Sequence, residues 1–483
     1  MSDLAGLRSA GSSAPDIEGD SPLSEKGVFG RSDAEIDLLV RGMRSGIAVV
    51  GFGYIGTVIG AVLADRGWPV TGIDVREHVV NEINAGRTVV PEPGLGELVS
   101  NSVRVGRLQA TTDFSAIADN EFIVVTVGTP LGPDYEPIVD DIKAAARAVG
   151  RHLKAGHVVV LKSTVPPDTT ENLFRPILEE TSGLRAGVDF GLAFCPERIA
   201  EGQAIRELTT IPIVIGAIDE RSARACAALW RHALGVESIV VDDPRTAEMV
   251  KLVDNLWIDL NVALANELAK ICDRLNMDAL QVIQAANSMP KGAHNVNILM
   301  PSMGVGGYCL TKDPWFVNHL GASLGLELST PRTSRTVNDT MPGYTYGLLT
   351  QLLADQGKTI ETSKIAVLGI AFKNNTGDCR LTPTKYVVEL LEESGCQLSV
   401  HDPWVPDEEA RAVTQIPLTA DIESAVKDAD AVVVLAGHRE FHQTPLAQLA
   451  ELATARCVFL DGRNSFDPAA VRAAGFVYKG IGR

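Results

Sequence analysis

The run Gly304-Val305-Gly306-Gly307-Tyr308-Cys309-Leu310-Thr311-Lys312-Asp313-Pro314 sets one cysteine on glycine-rich backbone, with a lysine and a carboxylate close behind it. Glycine lets the backbone approach a ligand and adopt conformations that other residues resist. Neighbouring cations or amides convert a thiol into a reactive thiolate. The chemistry on offer is nucleophilic attack by Cys309. A tight turn around a buried structural cysteine accounts for the same run, and in isolation the two readings stand level.

A second cluster suits a phosphate-bearing cofactor. Gly51-Phe52-Gly53-Tyr54-Ile55-Gly56 follows the apolar run Ile47–Val50 and precedes the helical run Thr57–Asp65. Such glycines permit a tight turn, close approach of a pyrophosphate and close helix–strand packing, while the helix N-terminus faces the phosphates. The next strand ends at Asp74, about where an acid bonds a ribose 2′-hydroxyl, which favours NAD over NADP. Arg76 complicates this: it could pair with a 2′-phosphate, stack on adenine or face solvent. Val127-Gly128-Thr129-Pro130 and Lys162-Ser163-Thr164-Val165-Pro166 end apolar strands, where open α/β sheets bind ligands. Either loop also reads as a turn with a proline stop.

These groups need a frame to hold them. Apolar runs at Ile47–Val50, Val70–Ile73, Phe122–Val127, Val158–Leu161, Phe190–Phe194 and Ile211–Ile215 alternate with helical patterns, which predicts a parallel sheet covered by helices. From Arg245 to Met277 apolar residues recur at helical spacing without Gly or Pro, predicting a long helix apolar on more than one face. It could join two domains, form a dimer seam or be an ordinary domain helix. Lys251 and Asn255 stand four apart on it and share a face. Alternation resumes at Ile365–Leu368, Leu398–Val400, Ala431–Leu435 and Val458–Leu460, and Ile365-Ala-Val-Leu-Gly369 repeats the plan of Ile47-Ala-Val-Val-Gly51. The expected fold is α/β, with two Rossmann-like doubly wound domains joined by a long central helix. Residues 1–44, rich in Ser, Gly, Asp and Pro, are expected to form a mostly disordered extension with an amphipathic patch at Ala34–Val40. The expected units are then 45–244, binding NAD; 245–360, helical, with the cysteine loop and the candidate seam; and 361–483, a second α/β domain.

At 483 residues the chain exceeds the size of a single core, and 45% hydrophobic with 22% charged residues is ordinary for a globular protein. No apolar run spans a bilayer and the first residues lack a signal-peptide pattern, so the cytoplasm is expected and a membrane is not. The seven cysteines are scattered and never form C-x-x-C, which argues against a disulfide framework or a metal site. A net charge of −18 disfavours nucleic acid but leaves room for a local basic pocket.

Taken together, these motifs resemble the nucleotide-sugar 6-dehydrogenase family, which includes UDP-glucose and UDP-N-acetylmannosamine dehydrogenases. The resemblance runs from about Gly46 to Arg483. It rests on Gly51–Gly56, Lys162-Ser-Thr-Val-Pro166, Pro196-Glu-Arg-Ile-Ala-Glu-Gly202, Lys251-Leu-Val-Asp-Asn255 and the cysteine loop. Phe372-Lys373-Asn-Asn-Thr-Gly-Asp378-Cys-Arg380, His401-Asp402-Pro403 and Asp461-Gly-Arg-Asn464 fit as well. It implies oxidation of a sugar C6 alcohol to a carboxylate by two NAD+, through a thiohemiacetal and a thioester on Cys309. It assigns Lys251 and Asn255 to oxyanion stabilisation, and Asp313, with Glu197 and Thr164, to water activation or proton transfer. Cofactor contacts fall to Gly51, Gly53, Tyr54, Ile55, Gly56, Asp74, Arg76, Gly128, Thr129 and Ser163. Substrate contacts fall to Glu201, Gly304, Gly306, Lys373 and Arg380. The C-terminal domain is implied to bind the nucleotide, a homodimer is implied, and each active site is implied to borrow an arginine from its neighbour. Lys373 and Arg380 match those positions and offer charge for a diphosphate.

Branch markers for the sugar conflict. Lys312-Asp313 and Glu201-Gly-Gln-Ala-Ile205 look like the UDP-glucose branch, which is favoured. Pro196-Glu197-Arg198, Val305-Gly306-Gly307 and Asp313-Pro314-Trp315-Phe316 look like the N-acetylhexosamine branch. A UDP-N-acetylhexosamine or a dTDP-glucose is the alternative substrate. A non-catalytic sensor of NAD and nucleotide sugar is the alternative from another class, although a sensor gains nothing from a nucleophile.

Overall fold

The computed structural model describes residues 27–43 and 45–483. The first sheet holds β1 (Ile47–Val50), β2 (Val70–Ile73), β3 (Leu108–Thr111), β4 (Phe122–Val125), β5 (Val158–Leu161), β6 (Gly191–Phe194), β7 (Ile213–Ala217) and β8 (Ser238–Val241) in the order β3-β2-β1-β4-β5-β6-β7-β8. All neighbours are parallel except β6 and β7. Strand order reverses between β1 and β4, which opens a crevice beyond their carboxyl ends. β1, β4, β5 and β6 are buried throughout, as strands covered on both faces must be.

A small hairpin, β9 (Pro290–Lys291) with β10 (His294–Asn295), precedes the cysteine loop. The second sheet holds β11 (Lys364–Leu368), β12 (Gln397–His401), β13 (Ala431–Val434), β14 (Val458–Asp461) and β15 (Val477–Gly480) in the order β12-β11-β13-β14-β15, all parallel. It is doubly wound too, with its reversal between β11 and β13.

Helix Pro244–Leu275 lies between the sheets. Asp243 caps it by accepting from Thr246 N, and Asn276 closes it in the left-handed conformation at φ 54°. One face packs against helix Ser329–Asp355, where the buried Arg335 donates to Asp259 Oδ1 at 2.7 Å and Asn338 donates to the same oxygen at 2.8 Å. The face carrying Val253, Trp257, Leu260, Leu264 and Ile271 is left exposed. Among the described residues no helix is long and apolar enough to cross a membrane.

The expectation of a disordered extension needs correcting over residues 27–41, while residues 1–26 lie outside the described residues. Helix Asp33–Arg41 starts with a capping box in which Ser32 and Glu35 satisfy each other's backbone. Val28, Phe29, Ile36 and Val40 are buried in the first domain's core. Phe29 N donates to the Gly156 carbonyl, and the Phe29 ring sits where a side chain on Gly191 would go. Polar composition outweighed four core residues at this end of the chain.

Candidate active site

The cofactor crevice begins where β1 ends. Gly51 has φ 89°, and a Cβ at Gly56 would lie 2.1 Å from the Gly51 carbonyl oxygen, so both positions require glycine. Gly53 caps helix Tyr54–Asp65 without a side chain over its first amides. That uncovered N-terminus and the close turn fit a dinucleotide pyrophosphate. Open space surrounds Gly128 on the opposite wall, and Thr129 Oγ1 donates to the Thr164 carbonyl at 2.6 Å, tying the two strand-end loops together. Ser163 is buried, with no partner for its hydroxyl.

Asp74 is buried behind this turn and accepts from Phe52 N at 2.8 Å. Arg76 forks onto the same carboxylate, Nε to Oδ1 at 2.9 Å and Nη2 to Oδ2 at 2.8 Å. Burial pushes the Asp74 carboxyl up, but the Arg76 bonds and charge outweigh it and the net shift is down. Arg76 pairs with the neighbouring acid while about half of its side chain stays exposed to solvent.

Cys309 lies on a loop held by the second sheet's unit. A Cβ on Gly306 would meet Pro383 Cδ at 2.5 Å and the Leu381 carbonyl oxygen at 2.7 Å, and Gly307 has φ 84°. Arg463 donates to the Gly304 carbonyl at 3.2 Å and the Phe372 carbonyl at 2.9 Å. On the side where a Cβ would point, Gly304 and Gly306 meet protein, so glycine at both positions shapes the loop. Arg335 donates to the Leu310 carbonyl at 3.3 Å, one residue past the thiol.

Lys251 and Asp313 both act on the Cys309 thiol, and Asn255 reaches it through Asp313. Asp313 opens helix Asp313–Ser323, is fully buried, and accepts from Asn255 Nδ2 at 2.5 Å. Its other oxygen lies 2.9 Å from Lys312 Nζ. Glu197 accepts from the Arg198 and Ile199 amides and pairs with Lys162 Nζ at 3.2 Å. Burial raises the Glu197 carboxyl, but Lys162, the Ile199 amide and Lys251 together bring it below its ordinary value. Lys251 is buried with Asn255 on the central helix.

Cys309 is exposed to solvent on one side and enclosed by protein on the others. That enclosure is the largest influence on its thiol and raises its pKa; Lys251 pulls it back, Asp313 adds to the rise, and the net shift is up. At rest the thiol is held protonated beside a cation ready to stabilise its anion.

The substrate-side residues sit at the junction of the two sheets. Lys373 Nζ donates to the Glu201 carbonyl at 3.0 Å, and Arg380 Nη2 lies 3.4 Å from Glu201 Oε1 while forking onto Asp378. Arg380 also stands over the Tyr308 ring at 5.9 Å. Burial, then the Asp378 charge, push the Glu201 carboxyl up to about 8.

Three groups escaped the sequence reading. Lys162 stood inside a motif already singled out, so charge next to a candidate acid was an available signal. Arg335 and Glu92 gave none, because Asp259 and Leu310 for the first, and Gly202 and Ala204 for the second, are distant in the chain.

Residues 45–234 match the NAD binding domain of the UDP-glucose/GDP-mannose dehydrogenase family, 245–340 its central domain and 366–468 its UDP binding domain. The chain is 34% identical to a UDP-N-acetyl-D-mannosamine dehydrogenase of Pyrococcus horikoshii over 439 residues, covering 90% of this chain and 99% of that one. A second enzyme of that name, from Campylobacter jejuni, is 36% identical over 82% of this chain and 96% of its own length. The solved P. horikoshii UDP-D-ManNAc dehydrogenase superposes with a TM-score of 0.81 at 32% identity, over 91% of this chain and 99% of that one. A UDP-glucose dehydrogenase from Pyrobaculum islandicum follows with a TM-score of 0.79 at 32% identity, over 91% and 98%.

Proposed function

The chain belongs to the UDP-glucose/GDP-mannose dehydrogenase family of NAD-dependent nucleotide-sugar dehydrogenases, and on that premise we propose that it oxidises the C6 alcohol of a UDP-N-acetylhexosamine, N-acetylmannosamine foremost, to the carboxylate. This reverses the preference for UDP-glucose drawn from Lys312-Asp313 and Glu201–Ile205. The P. horikoshii and C. jejuni enzymes favour the N-acetylhexosamine markers Pro196-Glu197-Arg198, Val305-Gly306-Gly307 and Asp313-Pro314-Trp315-Phe316 instead.

The observation that carries a four-electron reaction is the gathering of Lys251, Asn255 and Asp313 at an accessible Cys309. NAD+ at the Gly51–Gly56 turn supplies the hydride acceptor for both oxidations. In the first, the C6 oxygen loses its proton to a base while Lys251 and Asn255 stabilise the alkoxide. Cys309 releases its proton to solvent, its thiolate adds to the resulting aldehyde carbon, and the oxyanion of the thiohemiacetal rests on the same two donors. Loss of the second hydride leaves a thioester. Water activated at Asp313, with Glu197 and Thr164 holding it, adds to the thioester carbonyl and expels the Cys309 thiolate, freeing the carboxylate. Lys373 and Arg380 hold the diphosphate.

Incubation with NAD+ and a panel of UDP-N-acetylhexosamines, UDP-glucose and dTDP-glucose tests this reading. Two NADH per UDP-N-acetylmannosamine are expected. One NADH per sugar would support a two-electron dehydrogenase with a structural Cys309, and binding without turnover across the panel would support a sensor.

The exposed apolar face of the central helix supports assembly as a homodimer through Trp257, Leu260 and Leu264. Light scattering is expected to give twice the 51.5 kDa chain mass, and a single-chain mass at micromolar concentration would overturn the dimer.

A further inference from the structure

Glu92 is buried in the turn before helix Leu95–Arg104, outside every motif assigned above. Its carboxylate takes three donors from two distant parts of the chain. Oε2 accepts from the Tyr54 hydroxyl and from Gly202 N at 2.6 Å, and Oε1 accepts from Ala204 N at 2.8 Å. Tyr54 is the first residue of the helix that follows the dinucleotide glycines. Gly202 and Ala204 follow Glu201, whose carbonyl receives Lys373 and whose carboxyl faces Arg380. One buried anion thus joins the cofactor helix to the segment that the second sheet's cations grip.

We propose that Glu92 is a positioning residue: it fixes the register of segment 201–204, and with it the Lys373 and Arg380 end of the substrate site, against the cofactor helix. The assignment rests on the nucleotide-sugar reading. A carboxylate suits the task because all three groups pointing at it are donors. Burial, and then the bond and charge of Glu92, raise the Tyr54 hydroxyl above its ordinary value, so it stays a donor throughout the working range. Glutamine at this position offers one acceptor oxygen and turns its own N–H groups toward those donors, leaving buried polar groups unpaired. Nothing in the turn itself demands glutamate, since the positive φ of 81° that it requires falls on Gly94.

The test is Glu92→Gln in the full chain, with two readouts. In substrate-free protein, hydrogen exchange at the Gly202 and Ala204 amides is expected to speed up by about tenfold or more, a loss of local protection without global unfolding. In turnover, the KM for UDP-N-acetylmannosamine is expected to rise about tenfold, with kcat and the KM for NAD+ each within about threefold of wild type. Tyr54→Phe is expected to raise the same substrate KM, and the double variant to exceed the larger single effect by less than about twofold. Unchanged exchange at the two amides overturns the proposal. So does a fall in kcat with KM unmoved, which is what a smaller folded fraction produces, and so do effects of the two variants that simply multiply. If wild-type protein turns over no nucleotide sugar, the functional reading fails by itself, and the exchange measurement still decides whether Glu92 holds the segment.

Discussion

Cys309→Ala is expected to abolish carboxylate formation, with a fall in acid production on the order of 10³-fold or more, as follows removal of a covalent nucleophile elsewhere. That corresponds to about 4 kcal/mol of transition-state stabilisation. The thiol adds to an aldehyde to make a centre that still carries a hydride, and alanine has nothing to add. Cys309→Ser retains an oxygen whose pKa lies far above that of a thiol, so no thioester forms and the acid should be lost with it. The measurement is NADH released per sugar, with the product identified by mass spectrometry. Full carboxylate production by Cys309→Ala would sink the thioester route and leave water addition to the aldehyde, followed by hydride loss from the hydrate to NAD+, as the second oxidation. The site makes the first outcome the expected one: Cys309 is the exposed cysteine of the seven, on a loop fixed to the second sheet's unit through Arg463.

The parts of this arrangement that show in the sequence share a physical cause. β1, β4 and β5 are buried on both faces, so each is a continuous apolar run between turn residues and stands out without any tertiary information. β3, β8 and β15 did not stand out, because they are edge strands: β3 alternates buried with exposed positions, and β8 is nowhere fully buried. Lys251 and Asn255 were legible as a pair because helical periodicity puts them on one face. Arg335, which holds the carbonyl beside the thiol, was not: its partners Asp259 and Leu310 are 76 and 25 residues away. Arg76 was visible but its partner was not chosen, since an acid two residues back was assigned to the ribose. The glycines at 304 and 306 were visible as a loop signal, but the packing that requires them, against Pro383 and Phe372, was not, since those residues lie far along the chain.

Lys251→Met is expected to lower kcat by about 10²- to 10³-fold, the range seen when one donor to a developing oxyanion is removed, and to move Cys309 titration to higher pH. Enclosure by protein already raises the thiol pKa, and Lys251 is the strongest influence opposing that rise. Removing its charge leaves Asp313 unopposed except by Lys312, so the thiol must climb further. Below its pKa the thiolate fraction falls tenfold for each unit of that climb. The rate of iodoacetamide alkylation at Cys309, located by mass spectrometry and followed from pH 6 to 10, should therefore show an alkaline-shifted midpoint in the variant. The buried Glu197 should respond in the same direction, since Lys251 also helps hold its carboxyl down. Lys162, 3.2 Å away, remains to keep it ionised, so the loss of activity should not come from Glu197. An alkylation midpoint identical to wild type would show that Lys251 does not act on the thiol. Unchanged kcat would remove it from the oxyanion site as well. The two readouts separate its electrostatic effect on the nucleophile from its contact with the reacting oxygen, because alkylation by iodoacetamide develops no alkoxide for the lysine to stabilise.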